Sequence, residues 1–318
     1  MGIDERIAEL KQYTGCNPCP DDFKEFWDRG LCEVYNIDPC LQMIPAEFQL
    51  PEVECFHLRY NGTHGGCVYA KYLRPRYSIA PHPAVLSFHG YGTNSGDWTS
   101  LLPYVAAGFS VAAMDCRGQT GLSVDGDITS GPTIRGGIIK GLLDDPEKLL
   151  FRNIFLDTVQ LYRVISNLPE VDAHRVGVTG TSQGGGLSLA CAALVPEIKI
   201  AVVLYPFLSD YKMGWDLDAQ NSAFFELKPF FRQIDPTHQR EDEFFEKLGY
   251  IDVHNLAPYI RASTHMAITM LDVSVPAPTQ FAVYNNIQAS KTLTIYKDYG
   301  HEEIRGYADI AMQKLMKL

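Results

Sequence analysis

No stretch of the 318-residue chain carries the roughly 18 consecutive apolar residues that a membrane-spanning helix requires, so no membrane association is expected. Basic charge is scarce as well. Lys and Arg number 27 against 38 Asp and Glu, for a formal net charge of -11. Proteins that track phosphates present a basic surface, so nucleic acid is not an expected partner. The opening residues, MGIDERIAELKQY, lack the basic start and continuous apolar core of a signal peptide, and a cytoplasmic location is the expectation. Eight cysteines are present, but only Cys16 and Cys19 (CNPC) sit at a suggestive spacing. No second CxxC and no His pair at zinc-finger spacing follows them, and no βαβ pattern surrounds them. They read as free thiols in a reducing compartment, with no metal and no cofactor expected. Internal repeats, low-complexity linkers and clear domain boundaries are also lacking, so residues 1–318 read as one domain.

What is there is an ordinary globular composition, 46% hydrophobic and 20% charged, on a chain long enough to bury a large core. Residues 1–80 read as an N-terminal extension. Its first 45 or so residues are helical and loop-rich, punctuated by Pro18, Pro20 and Pro39. VECFHLRY and GGCVYAKYLRP, separated by the turn signal NGTHGG, then form a hairpin. From residue 83 the rhythm changes. PAVLSFHG and FSVAAMDCRG read as buried strands with a helical stretch, LLPYVAAG, between them. A long glycine-rich loop and a helix over residues 147–168 follow. RVGVTG, IKIAVVLYPF, THMAITMLD and KTLTIYKDY complete the strands, and GGLSLACAALV reads as a helix. Strands apolar on both faces and alternating with helices imply an α/β fold, a mostly parallel sheet covered on both sides. Residues 207–260, rich in aromatics and charges, break the alternation and read as a helical excursion over the pocket.

The run Gly180-Thr181-Ser182-Gln183-Gly184 fits G-x-S-x-G, between an expected strand and an expected helix. Glycines there let a strained, tight turn hold Ser182 out as a nucleophile. A serine hydroxyl is weak at neutral pH and needs a base, which in turn needs an orienting acid. In the α/β-hydrolase arrangement they follow in the order Ser, Asp or Glu, His. His301, in a loop after the last strand, is the candidate base, and His265, at the start of a strand, is read as structural. Three residues compete for the acid. Asp272 ends a strand at its carboxyl end, Asp210 follows IKIAVVLYPF, and Asp298 lies only three residues from His301; Asp272 is preferred. Two backbone N–H groups must bind the oxyanion of a tetrahedral intermediate. Gln183, directly after the nucleophile, and Tyr91, in the loop SFHGYGTNSGDW, are the candidates. His89 precedes the serine in the chain and is read as a structural or pocket residue.

With these residues in place, FHGYGTNSGDW, YVAAGFSVAAMDCRGQTG, GVTGTSQGG, MLDVSVPAPTQFAVYN and YGHEE resemble the blocks of the acetyl xylan esterase and cephalosporin C deacetylase family, carbohydrate esterase family seven. The likeness runs from about residue 20 to 310. The family's RGQ motif corresponds to Arg117, Gly118 and Gln119, its GxSQG motif to Gly180, Ser182, Gln183 and Gly184, and its HE motif to His301 and Glu302. The resemblance implies an α/β-hydrolase fold and a metal-independent, intracellular serine esterase. Its substrates would be small acetylated molecules such as xylo-oligosaccharides and cephalosporin C. It also implies Asp272 as the acid, Tyr91 and Gln183 as oxyanion donors with Tyr91 touching substrate, and a homohexamer built as a dimer of trimers. Thr120 departs from the RGQG of many members. No chemical role is assigned to Arg117, for which a scaffold ion pair is expected. Two alternatives remain: an esterase of longer acyl chains or an oligopeptidase on the same fold, and a non-catalytic hydrolase-like binding module. The second requires a missing triad member, and none is missing.

Overall fold

A computed structural model of the chain describes residues 2–78, 81–131, 137–218 and 222–318. Residues 1 and 79–80 of the expected extension, 132–136 of the long loop and 219–221 of the expected excursion lie outside the described residues. One sheet of nine strands organises the molecule. The strands are β1 (Gln42–Pro45), β2 (Val53–Asn61), β3 (Cys67–Pro75), β4 (His82–Phe88), β5 (Ser110–Met114), β6 (Val171–Thr181), β7 (Ile200–Leu204), β8 (Ser263–Thr269) and β9 (Lys291–Tyr296). Their order across the sheet is β1-β2-β3-β5-β4-β6-β7-β8-β9. The first four in that order pair antiparallel, and β5, β4, β6, β7, β8 and β9 run parallel.

The hairpin expected across NGTHGG is the β2–β3 pair, in continuous register from Val53 opposite Pro75 to Asn61 opposite Cys67. The parallel strands inside the sheet, β4 to β8, are apolar on both faces because both faces are covered, while β9 at the edge alternates exposed and half-buried residues. Leu86, Ala112, Val178 and Val203 point into the larger core, packed with the Leu150–Ser166 and Gln183–Leu194 helices. Their neighbours along the same strands, Val85 and Val202, meet Leu315 of the C-terminal Tyr307–Leu315 helix on the opposite face. Val111 and Ala113 of β5 meet Leu101 and Val105 on that face. A fully buried Leu, Val or Ile side chain contributes about 1.5–3 kcal/mol relative to exposure, so this two-sided burial fixes which residues face each layer.

The topology also makes a crevice. β4 lies between β5 and β6, so the chain leaves β4 toward one side of the sheet and later returns to its other side. Loops at the carboxyl ends of strands diverge at such a switch point and leave room for a ligand. The expected excursion holds the Tyr211–Asp216, Leu227–Ile234, Glu241–Gly249 and Val253–Leu256 helices. Its aromatics pack on one another: Phe230 edge-on against Phe244 and Phe231 tilted against Trp215. Among the described residues, no helix is long and apolar enough to cross a membrane.

Candidate active site

Register brings the site together. Phe88 of β4 lies opposite Gly180 of β6, so the loop after β4 and the turn after β6 start side by side. Thr269 of β8 pairs with Tyr296 of β9, so the segments carrying Asp272 and His301 leave the same end of the sheet.

Ser182 joins β6 to the Gln183–Leu194 helix with φ 58° and ψ -123°, a conformation an L-residue adopts only under constraint. The constraint is backbone pairing. The Ser182 N–H donates to Leu204 O at 3.0 Å, and its carbonyl accepts from Phe207 N at 3.0 Å and Gly186 N at 3.1 Å. The flanking glycines allow the close approach. A Cβ on Gly184 would stand 2.0 Å from the Phe88 carbonyl oxygen, and one on Gly180 would stand 2.3 Å from the Gly184 backbone. Ser182 itself is 8% exposed.

His301 Nδ1 lies 2.8 Å from Asp272 Oδ2. An ionised carboxylate only accepts hydrogen bonds, so Nδ1 carries the proton and Nε2 is left with the lone pair. Asp272 is in turn fixed by four further donors. Ser274 N and Val275 N reach Oδ1 at 2.8 Å, while Thr269 Oγ1 reaches Oδ2 at 3.3 Å and Gln280 Nε2 at 3.5 Å. The Tyr205 ring packs tilted against His301 with centroids 4.4 Å apart, and its hydroxyl donates to Glu302 O. Ser182, His301, Tyr91 and Tyr205 line one cleft of about 710 Å³. Ser222, Ala223 and Phe225 of the 207–260 segment supply another wall of it. Ser182 and the oriented His301 imidazole thus open into the same cleft.

Gln183 is the first residue of its helix, so its N–H has no intrahelical acceptor. In the loop after β4, Gly92 N–H donates to Gln119 Oε1 at 2.9 Å and Thr93 N–H to Gly90 O at 3.2 Å. The N–H of Tyr91, just before them, has no acceptor among the described residues. Tyr91 lines the cleft, and Gln183 directly follows the cleft-lining Ser182.

The remaining candidates have other work. Asp210 accepts from Tyr13 Oη at 2.6 Å, Asn17 N at 3.0 Å and Cys16 N at 3.1 Å, and so ties down the N-terminal segment. Asp298 is exposed. His265 Nδ1 meets Thr292 Oγ1 across β8 and β9 at 2.6 Å. His89 donates from Nδ1 to Gly90 O at 2.8 Å and accepts at Nε2 from Cys116 N at 2.9 Å, and burial holds its pKa below the usual imidazole value. It is a neutral brace between two loops. Arg117 is wholly buried in a bidentate pair, Nε and Nη2 reaching the two carboxylate oxygens of Asp157 at 2.7 and 2.5 Å. That is the scaffold pair expected. Cys16 and Cys19 are exposed free thiols, and no group of three or more His, Cys, Asp or Glu among the described residues is arranged to hold a metal ion.

Two residues gained structural meaning that sequence did not provide. Gln119 Nε2 donates to Gln183 Oε1 at 2.7 Å, joining the RGQ and GxSQG motifs directly. Glu226 is fully buried and accepts from the Tyr91 hydroxyl. Its only sequence signal is a lone carboxylate inside the aromatic run AFFELKPFF.

The family model described as acetyl xylan esterase (AXE1) matches residues 2–318. Acetyl xylan esterase 1 from Thermoanaerobacterium sp. JW/SL YS485 superposes with a TM-score of 0.96 at 51% identity, covering 98% of each chain. An acetyl xylan esterase from Paenibacillus sp. R4 superposes with a TM-score of 0.92 at 31% identity, again over 98% of each chain. The architecture is thus the α/β-hydrolase fold. Acetyl esterase Axe7A of Xylanibacter ruminicola is 26% identical over 288 residues, which is 89% of this chain and 63% of that longer protein.

Proposed function

The chain belongs to the acetyl xylan esterase family, and we propose on that premise that it is a serine carboxylic ester hydrolase removing acetyl groups from small acetylated saccharides. The observation that carries the reading is the strained Ser182 elbow opening into one cleft with a His301 whose Nδ1 is held by Asp272. Ser182 Oγ attacks the acetyl carbonyl while His301 Nε2 takes its proton. Asp272 orients the ring and stabilises the imidazolium. The Tyr91 and Gln183 amides bind the oxyanion of the tetrahedral intermediate. Collapse breaks the ester C–O bond, and the sugar oxygen leaves with the proton from His301. Water, deprotonated by His301, then attacks the acetyl-enzyme, and acetate departs with Ser182 regenerated.

The acetyl xylan esterases it resembles support acetylated xylo-oligosaccharides as substrates; the acetyl ester of cephalosporin C is a further proposed one. We also propose a cytoplasmic enzyme assembled as a homohexamer, acting without metal or cofactor. Turnover of p-nitrophenyl acetate tests the chemistry: Ser182→Ala should fall by about six orders of magnitude toward the residual level that binding and an oxyanion hole alone support. Near-wild-type turnover in that variant would refute the nucleophile. Asp272→Asn, which leaves the ring without its tautomer partner, should lose about four orders of magnitude. An acyl-length series should favour acetyl over butyryl, and cleavage of amide substrates at comparable rates would instead indicate a peptidase.

A further inference from the structure

Glu226 stands at the start of the Leu227–Ile234 helix, within the 207–260 segment, and its carboxylate is wholly buried. Burying an ionised carboxylate is costly, and an apolar side chain could fill the same space. What Glu226 holds in return is specific. Oε1 accepts from the Tyr91 hydroxyl and from Gly137 N at 3.1 Å, and Oε2 accepts from Ile139 N at 3.4 Å. The same Tyr91 hydroxyl accepts from Ile138 N at 3.2 Å. The hydroxyl is therefore fixed as both donor and acceptor, with the ring packed edge-on against Phe207. At the other end of the residue, the next amide, Gly92 N, is fixed by Gln119, whose side chain also grips that of Gln183. Tyr91 is thus held at its hydroxyl by Glu226 and the Ile138 amide and, through Gly92, by Gln119, which also grips the Gln183 side chain.

We propose that Glu226 is a positioning residue for the oxyanion hole, acting through the Tyr91 side chain to aim the Tyr91 amide. By this link the 207–260 segment sets the rate of the chemical step as well as walling the cleft. The proposal rests on the reading of Tyr91 as an oxyanion donor. A misaimed donor costs the transition state more than the bound substrate.

The test compares wild type, Glu226→Gln, Tyr91→Phe and the double variant on p-nitrophenyl acetate, with phenylboronic acid as the probe of the hole. Boron forms a bond to Ser182 Oγ, the serine proton passes to His301, and a boron-bound oxygen takes the oxyanion position. Glutamine keeps the size of Glu226 but turns an NH₂ toward amides that need acceptors. Glu226→Gln should lower kcat by about 10- to 100-fold with KM within about 3-fold, and boronate affinity should fall by the same factor. Tyr91→Phe, which keeps the backbone amide, should reproduce most of that loss, and adding it to Glu226→Gln should cost little more. A kcat for Glu226→Gln within about 2-fold of wild type, or losses that multiply in the double variant, would overturn the proposal. If Glu226→Gln fails to fold, as read by circular dichroism, a wild-type kcat in Tyr91→Phe overturns it instead. Failure of the serine-esterase reading beneath it looks different: boronate would not compete with substrate on the wild-type enzyme at all.

Discussion

Glu226 and Asp157 are both carboxylates removed from water, and they are compensated differently. Asp157 is pushed up to about 6 by burial, while the Arg117 guanidinium against it pulls the other way. Glu226 is pushed up to about 7, also by burial, with hydrogen bonds from Tyr91 and the 137–139 amides opposing the rise. An acid whose folded pKa exceeds its unfolded value holds its proton more tightly in the folded chain. Its ionisation then weighs against folding as pH rises from 4.5 to about 7, and that cost is relieved as pH falls through the same window. The titratable groups facing Glu226 among the described residues are Tyr91 and Tyr211, both raised well above 10 by burial and so neutral throughout. Glutamine has no proton to gain. The thermal midpoint of wild type relative to Glu226→Gln should therefore improve as pH falls from about 7 toward 4.5. His89 and Asp157 are present in both proteins, so their own titrations cancel in the difference. Calorimetry at several pH values gives the comparison, and a constant gap would contradict it. For the Arg117 pair, Asp157→Asn removes the bidentate partner of a buried guanidinium and leaves it Asp125, at 3.6 Å, and the charge of Asp127. The expected loss is about 3–5 kcal/mol of unfolding free energy in urea, with little change in KM for molecules that keep their fold.

The elbow is an element whose parts cannot move independently. β6, the turn at Ser182 and the helix from Gln183 are pinned to β4 by the contact of Gly184 with the Phe88 carbonyl. Gly184→Ala would force a Cβ to 2.0 Å from that oxygen, so the turn must shift away from the loop that carries Tyr91. Displacement of order 1 Å costs about 10²-fold in rate, so labelling of Ser182 by a fluorophosphonate should slow at least that much. Labelling at the wild-type rate would show that the turn tolerates a side chain. This element was readable because its chemistry is local: glycines, a serine and an apolar run on either side. β4 to β8 were readable because burial on both faces writes apolar runs, and β9 because half-buried Leu293 and Ile295 alternate with exposed Thr292 and Thr294. β1 was not, since all four residues of QMIP are exposed on the sheet edge and carry no alternation. The Ala277–Asn286 helix escaped for the opposite reason. It is buried around most of its circumference, so no polar stripe marks a period of 3.6, and Pro276 and Pro278 read as loop.

Across the whole molecule, the acid and the base were legible as a set of alternatives that only tertiary placement narrows. Asp210 and Asp272 both follow a parallel strand, and strand-end position alone favours Asp272. The difference is what folds against each: residues 13–17 on Asp210, His301 on Asp272. Glu226 was out of reach for the same reason, because its partners lie at residues 91 and 137–139. Assembly is further still from local pattern. The homohexamer proposed here comes from family resemblance, and it makes a claim about mass and access together. Light scattering at micromolar concentration should return six times the 35.6 kDa of one chain. If such an assembly turns its clefts toward an enclosed interior, acetylated xylo-oligosaccharides should be deacetylated faster than polymeric acetylated xylan at equal acetyl concentration. A short chain can diffuse inside, whereas a polymer must thread. The two measurements check each other. A monomer in scattering that still discriminates against polymer would place the size filter in the single-chain cleft walled by Ser222, Ala223 and Phe225. A hexamer that treats both substrates alike would mean that its clefts face outward.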